Sequence, residues 1–383
     1  MRQVLRAAAV ALALCLAACS KVDENLKPVD LVKFDASVTL KKRWSQSIGA
    51  GHDRFYNRFR VAVQGEHLFA ADDKGGVFAL NASNGKTLWK TQLDTAIGGA
   101  VGASPSSVLV GTLKGEVIAL DASNGKERWR AKVSSSLVTP PQGTDAMVIA
   151  LTNDNRLFAF DAVTGQQRWT YDHSMPVLTY RTQATPVIVD DQVFVGFDNG
   201  QLLSFALSDG QLRWSTRVAQ PKGRTELNRM VDIDSTPIVD GPFVYAGSAN
   251  GRLVAINRTT GRVSWGQNLS TLFDIAKSGD LIFASGDDSH VLAFNAASGE
   301  PAWENKQLHR RNISAPGVLG EYVAVIDDED YLHLLNQKDG SFAGRMKPSG
   351  SEFRAPMLTL GDSLLIFGDD GTLSAYGLQP LKK

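Results

Sequence analysis

The sequence predicts an all-β fold, an eight-bladed β-propeller made of four-stranded antiparallel blades. The main observation is a motif that recurs about every 40 residues, a spacing typical of stacked supersecondary units rather than of one irregular core. The second observation is that no convincing long helix pattern follows residue 20. Six copies of the motif end in tryptophan and two are incomplete; the copies begin at Gly75, Gly115, Asn155, Gly200, Gly251, Ser289, Asp330 and Gly371.

Each copy reads as a short apolar strand, a glycine turn and a second strand. In the first copy, GGVFALNASNGKTLW, Gly85 lies in the turn and Trp89 ends the second strand. Glycine permits the positive φ that a tight hairpin turn requires. A further strand pair precedes each copy, as in residues 185–200 and 236–251. Four short strands per repeat predict one propeller blade per repeat.

The eighth copy begins at Gly371 and lacks a final strand. Trp44 lies near the N-terminus, outside all the copies. We therefore expect the strand around residues 40–47 to complete the last blade, so that the propeller occupies residues 38–378 and has no unpaired edge at its closure. One tryptophan per blade at a fixed position favours packing between neighbouring blades over a ligand platform. The expected inter-blade tryptophans are Trp44, Trp89, Trp129, Trp169, Trp214, Trp265 and Trp303.

Residues 1–18 are typical of a signal peptide, because a basic start precedes an apolar run too short to span a bilayer. The run ends in LAAC, which resembles the bacterial lipobox. This resemblance implies that Cys19 is lipidated and that residues 19–37 form a lipidated tether. Ser20 stands where an aspartate would indicate retention in the inner membrane, which favours the outer membrane. The alternative is an ordinary secretory signal with an incidental cysteine.

Composition argues against several classes of function. The chain has 40 basic and 40 acidic residues, whereas nucleic-acid binding requires a basic stripe. Cys15 would leave with the signal peptide, so that no free thiol would remain for a disulfide or a thiolate metal site. The six histidines lack the spacing of metal ligands, and no nucleophile or phosphate-loop motif is found. The sequence therefore predicts no catalytic residue, no metal site and no cofactor.

Three connections between blades are longer than the rest: residues 47–59, 171–183 and 217–234. Such connections emerge on the same face as the hairpins that follow each second strand, so we expect the inserts to gather on one rim of the ring. Two of them belong to consecutive blade junctions and should be neighbours. Together they carry apolar, aromatic and charged groups typical of a protein interface: Leu178, Tyr180, Arg181, Asp232 and Asp234. The alternative is that the aspartates cap turns and that Leu178 packs beneath its own loop.

The repeat, most regular in residues 121–129 and 161–169, resembles the repeats of pyrroloquinoline-quinone-type propellers over the whole ring. With the lipobox and the eight blades, the chain resembles the propeller lipoproteins that form the B subunit of the outer-membrane β-barrel assembly machinery. Three stretches carry the more specific likeness: PVLTYR at 176–181, RTELNRMVDIDSTP at 224–237 and HRRNISAP at 309–316.

This resemblance implies a non-catalytic scaffold, lipid-anchored at the outer membrane and facing the periplasm of a Gram-negative bacterium. It implies docking on the periplasmic domains of the barrel-forming subunit and assistance in the folding and insertion of outer-membrane proteins. The docking residues that match the family motifs are Leu178, Tyr180 (where the family has leucine), Arg181, Asp232 and Asp234. By residue type, the first two would supply apolar area, the arginine would pair with a partner carboxylate, and the aspartates would accept a basic group. A further hypothesis is that nascent outer-membrane proteins add strands to exposed blade edges.

Two other functions fit the same fold. A quinone-dependent dehydrogenase resembles this chain in its repeats, but that family has a longer chain, a calcium site and a vicinal cysteine pair, which this sequence lacks. A propeller that binds cell-wall material or polysaccharide in the periplasm is the second alternative.

Overall fold

The computed structural model describes residues 27–52, 59–180, 183–222 and 224–381. These residues form a ring of eight four-stranded sheets with antiparallel neighbours, which confirms the predicted eight-bladed β-propeller. The predicted signal peptide and Cys19 lie outside the described residues. Among the described residues, no helix has the length and apolar character needed to cross a bilayer.

The strands are numbered in chain order. Blades one to four comprise β2 (Ala62–Gln64), β3 (His67–Ala71), β4 (Gly76–Asn81) and β5 (Thr87–Gln92); β6 (Ile97–Ala103), β7 (Ser107–Thr112), β8 (Glu116–Asp121) and β9 (Glu127–Lys132); β10 (Gln142–Gly143), β11 (Met147–Leu151), β12 (Arg156–Asp161) and β13 (Gln167–Asp172); and β14 (Val187–Val189), β15 (Gln192–Gly196), β16 (Gln201–Ala206) and β17 (Leu212–Arg217). Blades five to eight comprise β18 (Ile238–Asp240), β19 (Phe243–Ala246), β20 (Arg252–Asn257) and β21 (Val263–Asn268); β22 (Ala276–Ser278), β23 (Leu281–Ser285), β24 (Val291–Asn295) and β25 (Pro301–Asn305); β26 (Gly317–Leu319), β27 (Tyr322–Ile326), β28 (Leu332–Asn336) and β29 (Phe342–Met346); and β30 (Leu358–Leu360), β31 (Ser363–Phe367), β32 (Thr372–Pro380) and β1 (Val38–Ser47).

The N-terminal strand closes the ring. Strand β1 pairs antiparallel with β32, from Val38 opposite Pro380 to Ser47 opposite Thr372, and forms the outermost strand of blade eight. The prediction that the chain start completes the last blade is confirmed. Because this blade joins the two ends of the chain, the ring cannot open without separating a long strand pair.

The hydrophobic core is divided into layers between neighbouring blades. The layer between blades four and five, for example, combines Phe194 and Leu202 with Val244 and Val254. Second and third strands such as β15 and β16 are almost wholly buried because both faces of each sheet are covered. Outer strands such as β5 alternate exposed and half-buried residues. This division explains the sequence pattern, in which continuous apolar runs precede the glycine turn and alternating polar residues follow it.

The tryptophans of the outer strands contact the next blade, and we call these contacts the tryptophan girdle. The ring of Trp129 covers Gly165 so closely that a Cβ there would lie 2.6 Å from a ring carbon, and this glycine has a φ of +71°. Six indole N–H groups donate to backbone carbonyls of the next blade at 2.7–3.0 Å: those of Trp89, Trp129, Trp169, Trp214, Trp265 and Trp303. Trp44 of β1 covers Gly85 of blade one in the same way.

The seventh blade departs from this pattern for a structural reason. Gly344 stands at the tryptophan position, and a Cβ there would lie 2.3 Å from the carbonyl oxygen of Val38. Its cross-strand partner is Leu334, where the other blades pair tryptophan with a small residue such as Ala119. Blade eight has no hairpin between its third and fourth strands, because β32 ends the chain and β1 begins it. The start of β1 therefore occupies the space that a tryptophan would fill.

The described part of the predicted tether lies against blade seven. Val29 donates its N–H to the carbonyl of His309 at 3.2 Å, and Arg345 donates to the carbonyl of Val32 at 2.9 Å. Phe34 stacks on Phe342 with ring centroids 5.3 Å apart. Residues 29–37 thus run down the outside of the ring, from the face that carries the inserts to the opposite face, where β1 begins.

Candidate docking rim

The second and third inserts meet on one face of the ring, as the sequence predicts. The backbone N–H of Tyr180 donates to the Asp232 carboxylate at 2.5 Å. The side-chain amide of Asn250 donates to the Tyr180 hydroxyl at 3.2 Å and to the Met230 carbonyl at 2.9 Å. We call residues 173–180 and 224–234 the candidate docking rim.

The second insert is also held by the blades beneath it. His173 donates its N–H to the carbonyl of Asn155 at 3.2 Å, and its Nε2 lies 2.7 Å from the Asn199 side-chain amide. Burial lowers the pKa of His173, which favours a neutral ring that accepts this hydrogen bond from Asn199. Gln183 donates to the Thr152 carbonyl at 3.1 Å. The loop is therefore fixed at both ends and in the middle.

Between these fixed points the rim exposes apolar side chains. Leu178, predicted as a docking residue, is 47% exposed, and Val177 beside it is 87% exposed. Met175 on the same insert and Leu227 in the short 3-10 helix Leu227–Arg229 of the third insert are also exposed. The sequence analysis did not single out these last three residues. The pattern that could have identified them is an apolar residue within an insert that adds no strand to a blade.

The two aspartates do not lie at the surface of the chain, and their predicted contact with a basic group of a partner stays a prediction. Asp232 is fully buried and Asp234 is 2% exposed. The segment that carries them is wedged between two turns, since Ile233 donates to the Phe197 carbonyl and Ala249 donates to the Asp232 carbonyl. The Asp232 side chain instead accepts the Tyr180 N–H. It therefore positions the loop that carries the exposed residues.

Two other predicted docking residues have different outcomes. Tyr180 is half-buried, and its backbone and hydroxyl are both engaged within the rim, so only part of its ring can contact another molecule. Arg181 lies outside the described residues. Its predicted pairing with a partner carboxylate stays a prediction.

A buried carboxyl pair lies beneath the rim. Asp198, in the turn between β15 and β16, is 3% exposed. Burial raises its pKa to about 8, and the nearby charge of Asp232 acts in the same direction, whereas a hydrogen bond with Asn155 lowers it. Burial likewise raises the pKa of Asp232 to about 7, against the lowering effect of the Tyr180 N–H. Asp198 belongs to the site although it lies on a regular turn, so no departure from the repeat marks it in the sequence.

The described start of the first insert, residues 47–52, lies on the same face of the ring. His52 donates its backbone N–H to the Asp369 carbonyl at 2.8 Å. Just after the insert, Arg60 reaches from blade one to Asp274 and Thr236 on the opposite side, at 3.0 and 3.2 Å. Arg60 also lines a cavity of about 350 Å³ together with Val101 and Thr185.

These features place the chain among the eight-bladed β-propellers with quinoprotein-type repeats and one irregular rim. The family model described as "Outer membrane protein assembly factor BamB" matches residues 31–105 and 73–305. A curated protein of that name from Pseudomonas aeruginosa is 45% identical over 380 residues, which is 99% of this chain and 100% of the relative. The chain belongs to the BamB family.

Solved structures agree. The crystal structure of BamB from Moraxella catarrhalis superposes with a TM-score of 0.81 at 28% identity, covering 88% of this chain and all of that one. A quinohemoprotein alcohol dehydrogenase from Comamonas testosteroni superposes with a TM-score of 0.69 at 13% identity, covering 88% of this chain and 76% of that one. The second likeness shows a shared fold and nothing about activity.

Proposed function

We propose that the protein is a non-catalytic scaffold lipoprotein in the assembly of outer-membrane β-barrels. In this proposal the candidate docking rim binds the periplasmic domains of the barrel-forming subunit and so assists the folding and insertion of outer-membrane proteins. One observation carries the proposal: a loop held by buried hydrogen bonds presents exposed apolar side chains at the rim. Membership of a family named for outer-membrane protein assembly supports it.

The chemistry of the rim suits a protein partner. Val177 and Leu178 expose apolar surface on a loop that the buried Asp232 carboxylate anchors through the Tyr180 N–H. Rigid apolar anchors favour binding because little conformational freedom is lost on contact. The third insert of the rim adds charged groups, including the exposed Arg229, which pairs with Glu226 at 2.7 Å. An apolar centre with a polar margin is the usual composition of a protein interface.

The proposal includes the lipid anchor at Cys19 and a location at the outer membrane, facing the periplasm. The described chain reaches the insert face of the ring at Val29, which bonds to His309. Val29 is ten positions after Cys19, and a chain of that length can span at most about 35 Å. An acylated Cys19 would therefore keep the insert face at blades six and seven within that distance of the lipid headgroups. Two or more acyl chains are needed to make such an anchor stable.

The proposed role excludes quinone-dependent catalysis. The only cysteines in the sequence are Cys15 and Cys19, so a vicinal pair at a quinone is missing. Incubating the protein with pyrroloquinoline quinone and Ca²⁺ tests this part of the proposal. We expect no retained quinone absorbance after gel filtration; retained absorbance together with alcohol oxidation would contradict it.

Co-purification tests the docking surface. We expect Val177→Asp in the full-length lipoprotein to lower recovery of the barrel-forming subunit from detergent-solubilised envelopes by about tenfold, the effect of losing more than 1 kcal/mol of binding energy. Val163→Asp is the matched control, because Val163 is 65% exposed in a hairpin turn at the opposite face. Both variants should melt like the wild type. Equal recovery of the partner by the two variants would show that the rim is not the docking surface, and recovery of peptidoglycan alone would favour the cell-wall alternative.

Capture of nascent strands at blade edges stays a separate hypothesis. The outer strands are partly protected against strand addition, since β9 exposes Arg128 and Arg130 and the latter pairs with Glu127 at 3.0 Å. Site-specific crosslinkers on β9 and on the rim distinguish the two modes. Clients that crosslink only to the rim would contradict strand addition.

A further inference from the structure

A cluster of metal-ligating side chains lies on the insert face at blade six, away from the candidate docking rim. Asp288 and His290 belong to the turn between β23 and β24, and His309 lies in the connection from β25 to β26. One ligand atom from each of the three residues lies within 4.8 Å of the others. The sequence predicts no metal site because the two histidines are far apart along the chain. The propeller topology brings them together, since both segments emerge at the same face.

Hydrogen bonds fix the two segments that carry the cluster. The N–H of Arg310 donates to the Asp288 carbonyl at 3.0 Å, which ties the connection to the turn. Within the turn, the N–H of His290 donates to the Asp288 carboxylate at 3.1 Å. Ser289 and Arg310 adopt positive φ angles of 66° and 61°, so each segment bends sharply beside its histidine. The ligand set is therefore largely preorganised.

The contacts of the two imidazoles are not explained by ion pairs alone. Nδ1 of His290 lies 2.7 Å from Glu304 and 3.0 Å from Asp288. The His309 ring lies 5.2 Å from the His290 ring, centroid to centroid. Nδ1 of His309 is buried and has no hydrogen-bond partner among the described residues. A buried ring nitrogen without a partner, facing a second imidazole and a carboxylate, fits a ligand for a cation.

We propose that Asp288, His290 and His309 bind a divalent transition-metal ion of the Zn²⁺ type, with Glu304 orienting His290. Two imidazoles and one carboxylate suit Zn²⁺, whereas Mg²⁺ and Ca²⁺ prefer oxygen ligands throughout. Ligand atoms bound at about 2.1 Å in a tetrahedral site lie about 3.4 Å apart, so ligand atoms at the 4.8 Å limit of the cluster need to approach one another by roughly 1.4 Å. Water would complete the coordination.

The bound ion would link blade six to the point where the N-terminal segment joins the ring. The carbonyl of His309 accepts the N–H of Val29, so a fixed His309 also fixes the path of the segment that leads to the proposed lipid anchor. This inference does not depend on the docking proposal, because none of the ligands lies on the second or third insert.

Calorimetric titration of the untagged full-length protein with ZnCl₂, in detergent after EDTA treatment and dialysis, tests the site. We expect one Zn²⁺ per chain and a higher melting temperature in its presence, because a ligand of the folded state stabilises it. His309→Gln and Asp288→Asn should abolish this binding or weaken it at least tenfold, and Glu304→Gln should weaken it about 10–100-fold, as loss of an orienting partner does.

His67→Gln is the control, because His67 lies on blade one outside the cluster. Its Zn²⁺ affinity should equal that of the wild type, and excess Mg²⁺ should not compete. Asp288 is exposed, so Asp288→Asn keeps the test valid even if His309→Gln impairs folding. A wild type that binds no Zn²⁺, or that binds it no more tightly than Asp288→Asn, would overturn the proposal.

Discussion

The tryptophan girdle and the candidate docking rim arise from the same repeat but differ in how regularly their contacts recur from blade to blade. Along the girdle seven blades repeat one contact, in which a tryptophan ring covers a turn glycine of the next blade, and blade seven is the exception. On the rim the connections differ, and their hydrogen bonds fix one loop that exposes apolar groups. Regular positions therefore hold the ring together, whereas we propose that departures from the repeat bind a partner.

The largest expected effect is on the girdle. Trp129 is 8% exposed, and Trp129→Ala removes its packing and its hydrogen bond to the Ala162 carbonyl. We expect the free energy of unfolding to fall by roughly 3–5 kcal/mol in denaturant titration. Val163→Ala is the control, because Val163 is exposed and directly follows Ala162 in the sequence. This substitution should change the free energy of unfolding by less than about 0.5 kcal/mol. Unchanged stability of Trp129→Ala would mean that the girdle does not stabilise the ring.

Beneath the rim we expect a substitution to raise stability rather than lower it, because a buried carboxylate destabilises the folded state when it is charged. The raised pKa of Asp198 means that the folded state holds its proton more tightly than the unfolded state. Stability associated with this group is therefore present below its unfolded pKa and is lost as pH rises through about 8.

Asp198→Asn cannot ionise and therefore avoids the loss of stability at high pH. We expect the variant to be more stable than the wild type at pH 9 and to match it near pH 4, because each unit by which burial raises the pKa of Asp198 corresponds to roughly 1.4 kcal/mol of stability lost on ionisation. Melting temperatures across this pH range measure the difference. A stability gain that does not depend on pH would mean that ionisation of Asp198 is not its source.

The exception in the girdle can be tested by a small substitution. At Gly344 an added methyl group would meet the carbonyl of Val38, which begins the closing strand. Gly344→Ala should therefore lower stability by about 1–3 kcal/mol. Gly241→Ala is a poor control because of its positive φ, whereas Gly266→Ala, in the outer strand of blade five with the nearest atom at 3.3 Å, is a suitable one. Equal losses for the two alanine variants would show that the closing strand tolerates the added group.

The smallest expected change in stability separates positioning from direct contact on the rim. Asp232→Asn retains an oxygen that can accept the Tyr180 N–H, so it should change stability little and keep partner recovery near that of the wild type. Asp232→Ala removes the acceptor, at a cost of about 1–2 kcal/mol, and releases the loop. We expect partner recovery to fall with Asp232→Ala alone. An equal fall with Asp232→Asn would indicate that the carboxylate itself contacts the partner.

Much of the fold can be predicted from the sequence because the same local pattern occurs in every repeat. Glycine turns, apolar runs and one tryptophan per copy predict the blades, and the incomplete last copy predicts closure by the strand that contains Trp44. The inserts also reveal the rim, since topology alone puts such connections on one face. The local pattern suffices here because each blade contacts only its neighbours.

Other features depend on how the closed ring packs its turns together. The segment around Asp232 reads as polar and exposed, yet two neighbouring turns enclose it and convert both of its carboxylates into buried groups. Asp198 lies on an unremarkable turn, and His290 and His309 share no spacing that indicates a common site. Burial and convergence depend on which turns the closed ring brings together, and a pattern read along one chain contains no information about that distance.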